Sequence, residues 1–194
     1  MRERQRIRTR ENILRIAAEE FDQRGYASVS LSEIAARLEM TKGTVYFHFP
    51  SKADLARAIV DTYFSAWEAL LEGVANQGLR GMEALRWFSN RVAQAYRDDP
   101  GVRAPLRLMR EADVIGVELP TPFLPWVQTV EFQVRQAQEL GEVRDELDAQ
   151  AVAWQIVAGF YGAQEISHQL TQRADLTDRI QQMWDLLLPG IQAP

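Results

Sequence analysis

The sequence predicts an all-α protein: an N-terminal three-helix unit of the helix-turn-helix kind, then a larger helical bundle, with about nine helices in all. Three observations predict it. Apolar residues recur at helical spacing along most of the chain, strand alternation of useful length is missing after Lys52, and the first fifty-odd residues carry closely spaced helix caps.

Leu14, Ala17, Ala18 and Phe21 stand at i, i+3, i+4 and i+7, so about 6–24 reads as an amphipathic helix. Gly25 closes it where a left-handed residue is easiest to place. Ser30 and Glu33 form an S-x-x-E capping box that opens a short second helix, with Leu31, Ile34, Ala35 and Leu38 on one face. That helix ends near Glu39-Met40, and Thr41 caps the next. Ser51, with Asp54 three residues on, caps a fourth helix that begins with Lys52. Two short helices about three residues apart make a helix-turn-helix. Val45 and Phe49, four apart, face back onto the first two helices. Thr44, Tyr46 and His48 fall on or near the open side. Phe47 fits either a groove wall or the packed side, and the packed side is preferred.

The segment Thr41–Lys52 holds both lysines of the chain and one of its two histidines, in a chain otherwise basic through arginine. Hydroxyls, a phenol, an imidazole and two ammonium groups suit a phosphate backbone and base edges. Gly43 removes a side chain where backbone meets DNA, and Lys52 stands at a helix start that favours an anion. The net charge of −5 argues against nucleic acid until its distribution is seen. Residues 1–52 hold ten Lys or Arg against seven Asp or Glu; the remainder holds twelve against twenty. A basic head on an acidic body is the footprint of a DNA-binding module joined to something else. Arg2 and Arg4 read as a solvated tail; Arg6, Arg8 and Arg10 fit backbone or minor-groove contact equally well.

With 194 residues the chain is one large or two small domains with a sizeable core. No eighteen-residue apolar run predicts a membrane span. The opening M-R-E-R-Q-R-I-R-T-R has no apolar stretch behind it, so no secretory signal is expected and a cytoplasmic location is. Without cysteine there is neither disulfide nor thiolate site. His48 and His168 lack metal-ligand spacing, so no metal or cofactor is expected; His168 reads as a plain polar residue. Catalysis is not expected either: the sequence shows no defensible carboxylate pair, activated nucleophile or glycine-rich phosphate loop.

After Lys52, helices are predicted over about 52–76, 81–98, 103–113, 122–140, 149–171 and 175–189. The loop from Gly116 holds Pro120, Pro122 and Pro125; Thr121 is placed to cap the helix that follows, with Pro122 in its first turn. Trp87, Phe88, Trp126, Val130, Phe160 and Tyr161, with Gln164 as a polar anchor, are the candidate lining of an apolar ligand cavity. The same aromatic stripe also fits plain core. Trp154 and Ile166 on one helix, and Ile180, Trp184 and Leu187 on the last, form stripes that either bury within one subunit or meet a second copy. One helix-turn-helix reads only a half-site, which favours the second.

The run from Arg10 to Lys52, with A-A-E-E-F-D-Q-R-G-Y, S-L-S-E-I-A and T-K-G-T-V-Y-F-H-F-P-S-K, resembles the TetR family of one-component repressors. The resemblance implies that the third helix enters the major groove. It implies phosphate contacts at Tyr46 and Lys52, and a place at the DNA surface for Thr41, Lys42, Gly43, Thr44 and His48. It divides the chain into a DNA-binding domain at 1–52 and a ligand-binding and dimerisation domain at 53–194. L-P-T-P-F-L-P-W, G-A-Q-E-I-S and M-W-D-L-L-L-P-G-I are similar to the γ-butyrolactone receptor branch, where a tryptophan matching Trp126 lies in the pocket of a small lactone or furan signal. Some members carry a hydroxyl residue where Ala163 stands here. The implied function is a homodimeric repressor on a palindromic double-stranded operator, released by a small apolar effector of that type. The alternative is a multidrug-type sensor, or an orphan repressor without a small effector.

Overall fold

The computed structural model describes residues 2–121 and 123–194. Among them are ten α-helices and no strand, only an isolated bridge between Val143 and Gln192. The helices are α1 (Arg2–Arg24), α2 (Leu31–Arg37), α3 (Lys42–His48), α4 (Lys52–Asn76) and α5 (Gly81–Asp98). Then come α6 (Pro100–Arg110), α7 (Ala112–Ile115), α8 (Leu124–Glu139), α9 (Ala149–Thr171) and α10 (Leu176–Ile191). They form two compact units. One holds the chain through Trp67 together with Asp99–Thr121; the other holds Glu68–Asp98 and the stretch after Thr121.

In the first unit the apolar faces of α1 to α4 meet over Ile13, Ala17, Phe21, Ile34, Val45, Leu55 and Ile59, each at most 1% exposed. This unit outgrows the expected 1–52 segment because α6 is fastened to the end of α1. Arg103 donates to the Asp22 carboxylate at 2.8 Å, with both side chains almost sealed from water. Arg107 donates to the Asp22 backbone carbonyl at 2.7 Å and to Glu111 at 2.9 Å. Glu111 in turn accepts the Tyr26 backbone N–H at 2.7 Å. Gly25, at φ +78°, sits in the middle, and a Cβ there would lie 2.5 Å from an Arg107 nitrogen. The left-handed backbone favours glycine, and a Cβ would push the Arg107 guanidinium off its partners.

In the second unit α8 packs on α9 and α5, and α10 packs on α5 and α9. Ile180 and Trp184 are 0% and 1% exposed there, and the indole N–H of Trp184 donates to the buried Ser89 hydroxyl at 2.8 Å. This corrects their expected place at a subunit interface. The stripe on α10 is satisfied inside the subunit, and a fully buried side chain has no surface for a partner.

Helix boundaries differ from expectation at four places. α1 begins at Arg2, four residues early, with Arg6 paired to Glu3 at 2.7 Å one turn back. The expected 103–113 helix starts at Pro100, because Asp99 caps it by accepting the Gly101 N–H at 2.7 Å, and it breaks at Glu111 to leave α7 as a tenth helix. α8 starts at Leu124 with Pro125 in its first turn, so Thr121 is too far back to cap it; the Pro122 expectation lies outside the described residues. α10 runs through Pro189 to Ile191.

Gly25→Ala is expected to cost at least about 1–2 kcal/mol, the left-handed penalty for a residue with a Cβ. In a chain of this size each kcal/mol lowers the unfolding midpoint by about 2–4 °C, which thermal unfolding followed by circular dichroism measures directly.

Candidate nucleic-acid interface and aromatic core

Local hydrogen bonds set the angle of α3. The Ser30 hydroxyl accepts the Glu33 N–H at 3.2 Å while the Glu33 carboxylate accepts the Ser30 N–H at 2.8 Å, a closed capping box. Arg24 donates to that carboxylate at 2.9 Å, and these donors, Arg24 first, hold the Glu33 carboxyl well below the usual range. α2 ends with Glu39 in left-handed backbone (φ 53°) and the Met40 N–H bonded to the Ala35 carbonyl at 2.9 Å. That closure turns the chain within three residues. Thr41 caps α3 by accepting the Thr44 N–H at 3.2 Å, and Ser51 caps α4 by accepting the Asp54 N–H at 3.1 Å. Val45 and Phe49 are 0% and 2% exposed, and the Arg10 guanidinium lies 5.0 Å from the Phe49 ring centre.

With Val45 and Phe49 turned inward, the opposite side of α3 is open. Thr41, Lys42, Gly43 and Tyr46 are exposed; Thr44, His48 and Lys52 are half-buried. All seven predicted surface positions therefore lie in one short stretch with solvent access. Phe47 overturns the packing preference, because it is 74% exposed on the same helix. Its ring meets the edge of His48 at 5.3 Å and 84°. Burial lowers the His48 pKa, and the nearby positive charges of Arg6 and Arg10 lower it further. A neutral imidazole offers one donor and one acceptor. The Lys52 ammonium stands 4.1 Å from the Tyr26 ring centre and 3.5 Å from the Ala27 carbonyl. Burial pulls its pKa below the ordinary lysine value, against Glu33 and Glu111, which favour the charge.

In the second unit Trp126, Val130, Phe160 and Gln164 are buried, and Tyr161 is half-buried. Trp126 meets Tyr96, Phe123 and Phe160 edge to face at 6.3, 5.9 and 6.3 Å between centroids, and Phe123 meets Tyr161 at 4.9 Å. Sequence reasoning missed Tyr96 and Phe123. Tyr96 was findable, since it follows Phe88 by eight residues on the face that also carries Val92. Phe88 is buried on α5. Trp87 is not turned with it: its indole edge would come within 3.2 Å of a Cβ at Gly73, and Arg91 lies over its ring. Gln164 finds its partners inside the subunit, accepting from Arg173 and donating to Glu165, both at 3.4 Å. Among the described residues no group of His, Asp or Glu is arranged to hold a metal ion, and no helix is long and apolar enough to cross a membrane.

Residues 13–59 match the family model of bacterial regulatory proteins of the tetR family, and residues 79–193 match the tetracyclin repressor-like C-terminal domain. The chain belongs to the TetR family. It is 36% identical over 188 residues to the A-factor receptor protein of Streptomyces griseus, covering 97% of this chain and 65% of that protein. The chain thus spans about two thirds of that relative's length. A crystal structure of a gamma-butyrolactone receptor, an ArpA-like protein, superposes with a TM-score of 0.83 at 32% identity, over 97% of this chain and 90% of that one. CprB from Streptomyces coelicolor, solved in complex with its operator sequence, superposes equally well at 31% identity, over 99% and 91%. As a TetR-family protein the chain is a DNA-binding regulator of the repressor type and not an enzyme.

The lowered His48 pKa has a measurable consequence. The unfolded chain takes up the proton first as pH falls through the ordinary histidine range, so this group costs the fold stability on acidification and nothing above that range. By NMR the His48 ring protons are expected to titrate below pH 6.5, and Arg10→Gln is expected to raise that midpoint.

Proposed function

We propose that this TetR-family protein is a homodimeric repressor of a palindromic operator, released when a small apolar signal of the γ-butyrolactone or furan type binds in the second unit. The observation that carries the DNA role is the open face of α3. Tyr46 and Phe47 are 49% and 74% exposed on a helix whose Val45 is sealed at 0%. Lys42 and Thr44 flank them for hydrogen bonding to base edges, and Lys52 and Tyr46 are placed for phosphates.

Pairing of two subunits is supported by α9. Trp154, Ala158, Gly162, Ile166 and Leu170 recur every fourth residue, and Trp154, Ile166 and Leu170 are 58%, 60% and 77% exposed. A Cβ at Gly162 would meet nothing within 4 Å, so the middle of the stripe is open to a second helix. On α10 the contribution comes from Leu186, 84% exposed, beside the half-buried Leu187. A twofold axis through such a stripe supplies the second reading helix one DNA turn away.

The effector class is supported by the ring cluster around Trp126, which is apolar with few polar anchors. An effector lowers operator affinity only by binding one spacing of the reading helices better than another. The likeness to the A-factor receptor protein and to gamma-butyrolactone receptors supports the lactone form of this reading.

In mobility-shift titrations, Lys52→Ala and Tyr46→Phe are expected to weaken binding to operator and to unrelated DNA by about the same factor. Lys52→Ala is also expected to reduce the salt dependence by about one phosphate contact per subunit. A change of sequence preference instead contradicts these roles. Release of the operator complex by butanolides is expected for the wild type and lost in Trp126→Ala. Release by planar drugs and not butanolides favours the multidrug-type alternative, and release by neither favours the orphan repressor.

A further inference from the structure

Phe47 is the least expected side chain on α3. Nearly three-quarters of it faces water, on a helix whose other large apolar side chain, Val45, is fully buried. Its immediate neighbours on the exposed side are polar, so the phenyl ring lies in no apolar patch that would cover it. Four residues earlier, one turn back along the same face, stands Gly43. A Cβ there would meet only the Thr41 hydroxyl, at 3.8 Å, so that part of the helix surface is open. Long helical side chains lean toward the N-terminus of their helix. Gly43, one turn toward that end, has no side chain to cover the Phe47 ring. That ring lies edge to face with His48, 5.3 Å between centroids. The result is an exposed apolar ring on a surface otherwise furnished for hydrogen bonding.

The chemistry of the major groove contains one matching feature. Base edges there present acceptors and donors, which a phenyl ring cannot satisfy, and the 5-methyl group of thymine, which it can. Resting on the proposed docking of α3 in the major groove, we propose that Phe47 is a sequence-reading residue. Its ring takes the methyl group of one thymine in each operator half-site. Lys42, Thr44 and His48 serve the polar edges around it, while Phe47 reads a base that offers no added hydrogen bond.

Deoxyuridine differs from thymidine only by that methyl group, so it isolates the contact. With an operator obtained by selection from random duplexes, each thymine is replaced in turn by deoxyuridine in both half-sites, and affinity is measured for wild type, Phe47→Ala and Phe47→Leu. Burial of one methyl group is worth about 0.8 kcal/mol, or about fourfold in affinity per half-site. The expected result is one thymine position per half-site where the wild type loses about fourfold for each half-site, about sixteenfold with both replaced. Phe47→Ala binds the thymine operator more weakly and shows no further loss with deoxyuridine at that position, and Phe47→Leu keeps part of the sensitivity. Because the side chain is exposed, both variants keep the wild-type unfolding midpoint. Undiminished sensitivity to methyl removal in Phe47→Ala overturns the assignment, as does a wild type that binds selectively yet ignores methyl removal at every position. A wild type that selects no sequence overturns it too, and with it the helix-turn-helix reading, an outcome distinct from the other two.

Discussion

The two-point anchoring of α3 by Val45 and Phe49 is the constraint from which the geometry of its outward face follows. Both side chains are essentially sealed from water, one inside α3 and one at its end. A helix of seven residues does not hold itself together by backbone hydrogen bonds alone. Its stability and its roll angle come from what it buries. Fixing two positions four apart leaves no freedom of rotation, so Lys42, Tyr46 and Phe47 face outward by consequence. The caps at Ser30, Thr41 and Ser51 then set where each helix starts, which fixes how far α3 projects.

A second constraint ties that head to α6. Asp22 and Glu111 gather two arginines and a backbone N–H around the left-handed Gly25, at the turn whose Tyr26 ring lies beneath Lys52. Lys52 is thereby seated on a turn that α6 holds in place. Side chains from distant parts of the sequence converge there, and none of those pairings is visible as a local motif. That explains why residues 99–121 join the helix-turn-helix in one compact unit rather than the bundle.

Much of the head was legible in the sequence because its signals are local. Capping boxes, a terminal glycine and i, i+4 apolar pairs act within one turn, so Ser30, Glu33, Gly25, Val45 and Phe49 could be placed by spacing alone. Phe47 was not, since its environment depends on which elements cover α3. The bundle was less legible for a related reason. An amphipathic stripe states that a helix buries one face and is silent on what covers it. Ile180 and Trp184 on α10 face the subunit's own core, while Trp154 and Ile166 on α9 stay open. Spacing could not separate the two cases. Trp87 and Phe88 are adjacent in sequence and so diverge around their helix, and only Phe88 is fully buried.

In the proposed function the open face of α3 is the surface that meets the operator. Hydroxyl-radical footprinting of the protein, read residue by residue by mass spectrometry, tests it most directly because Tyr46, Phe47 and His48 are all reactive side chains. Addition of the operator is expected to suppress oxidation at these three while leaving the exposed Val114 on α7 unchanged. Unaltered oxidation at all three in the saturated complex would contradict the account.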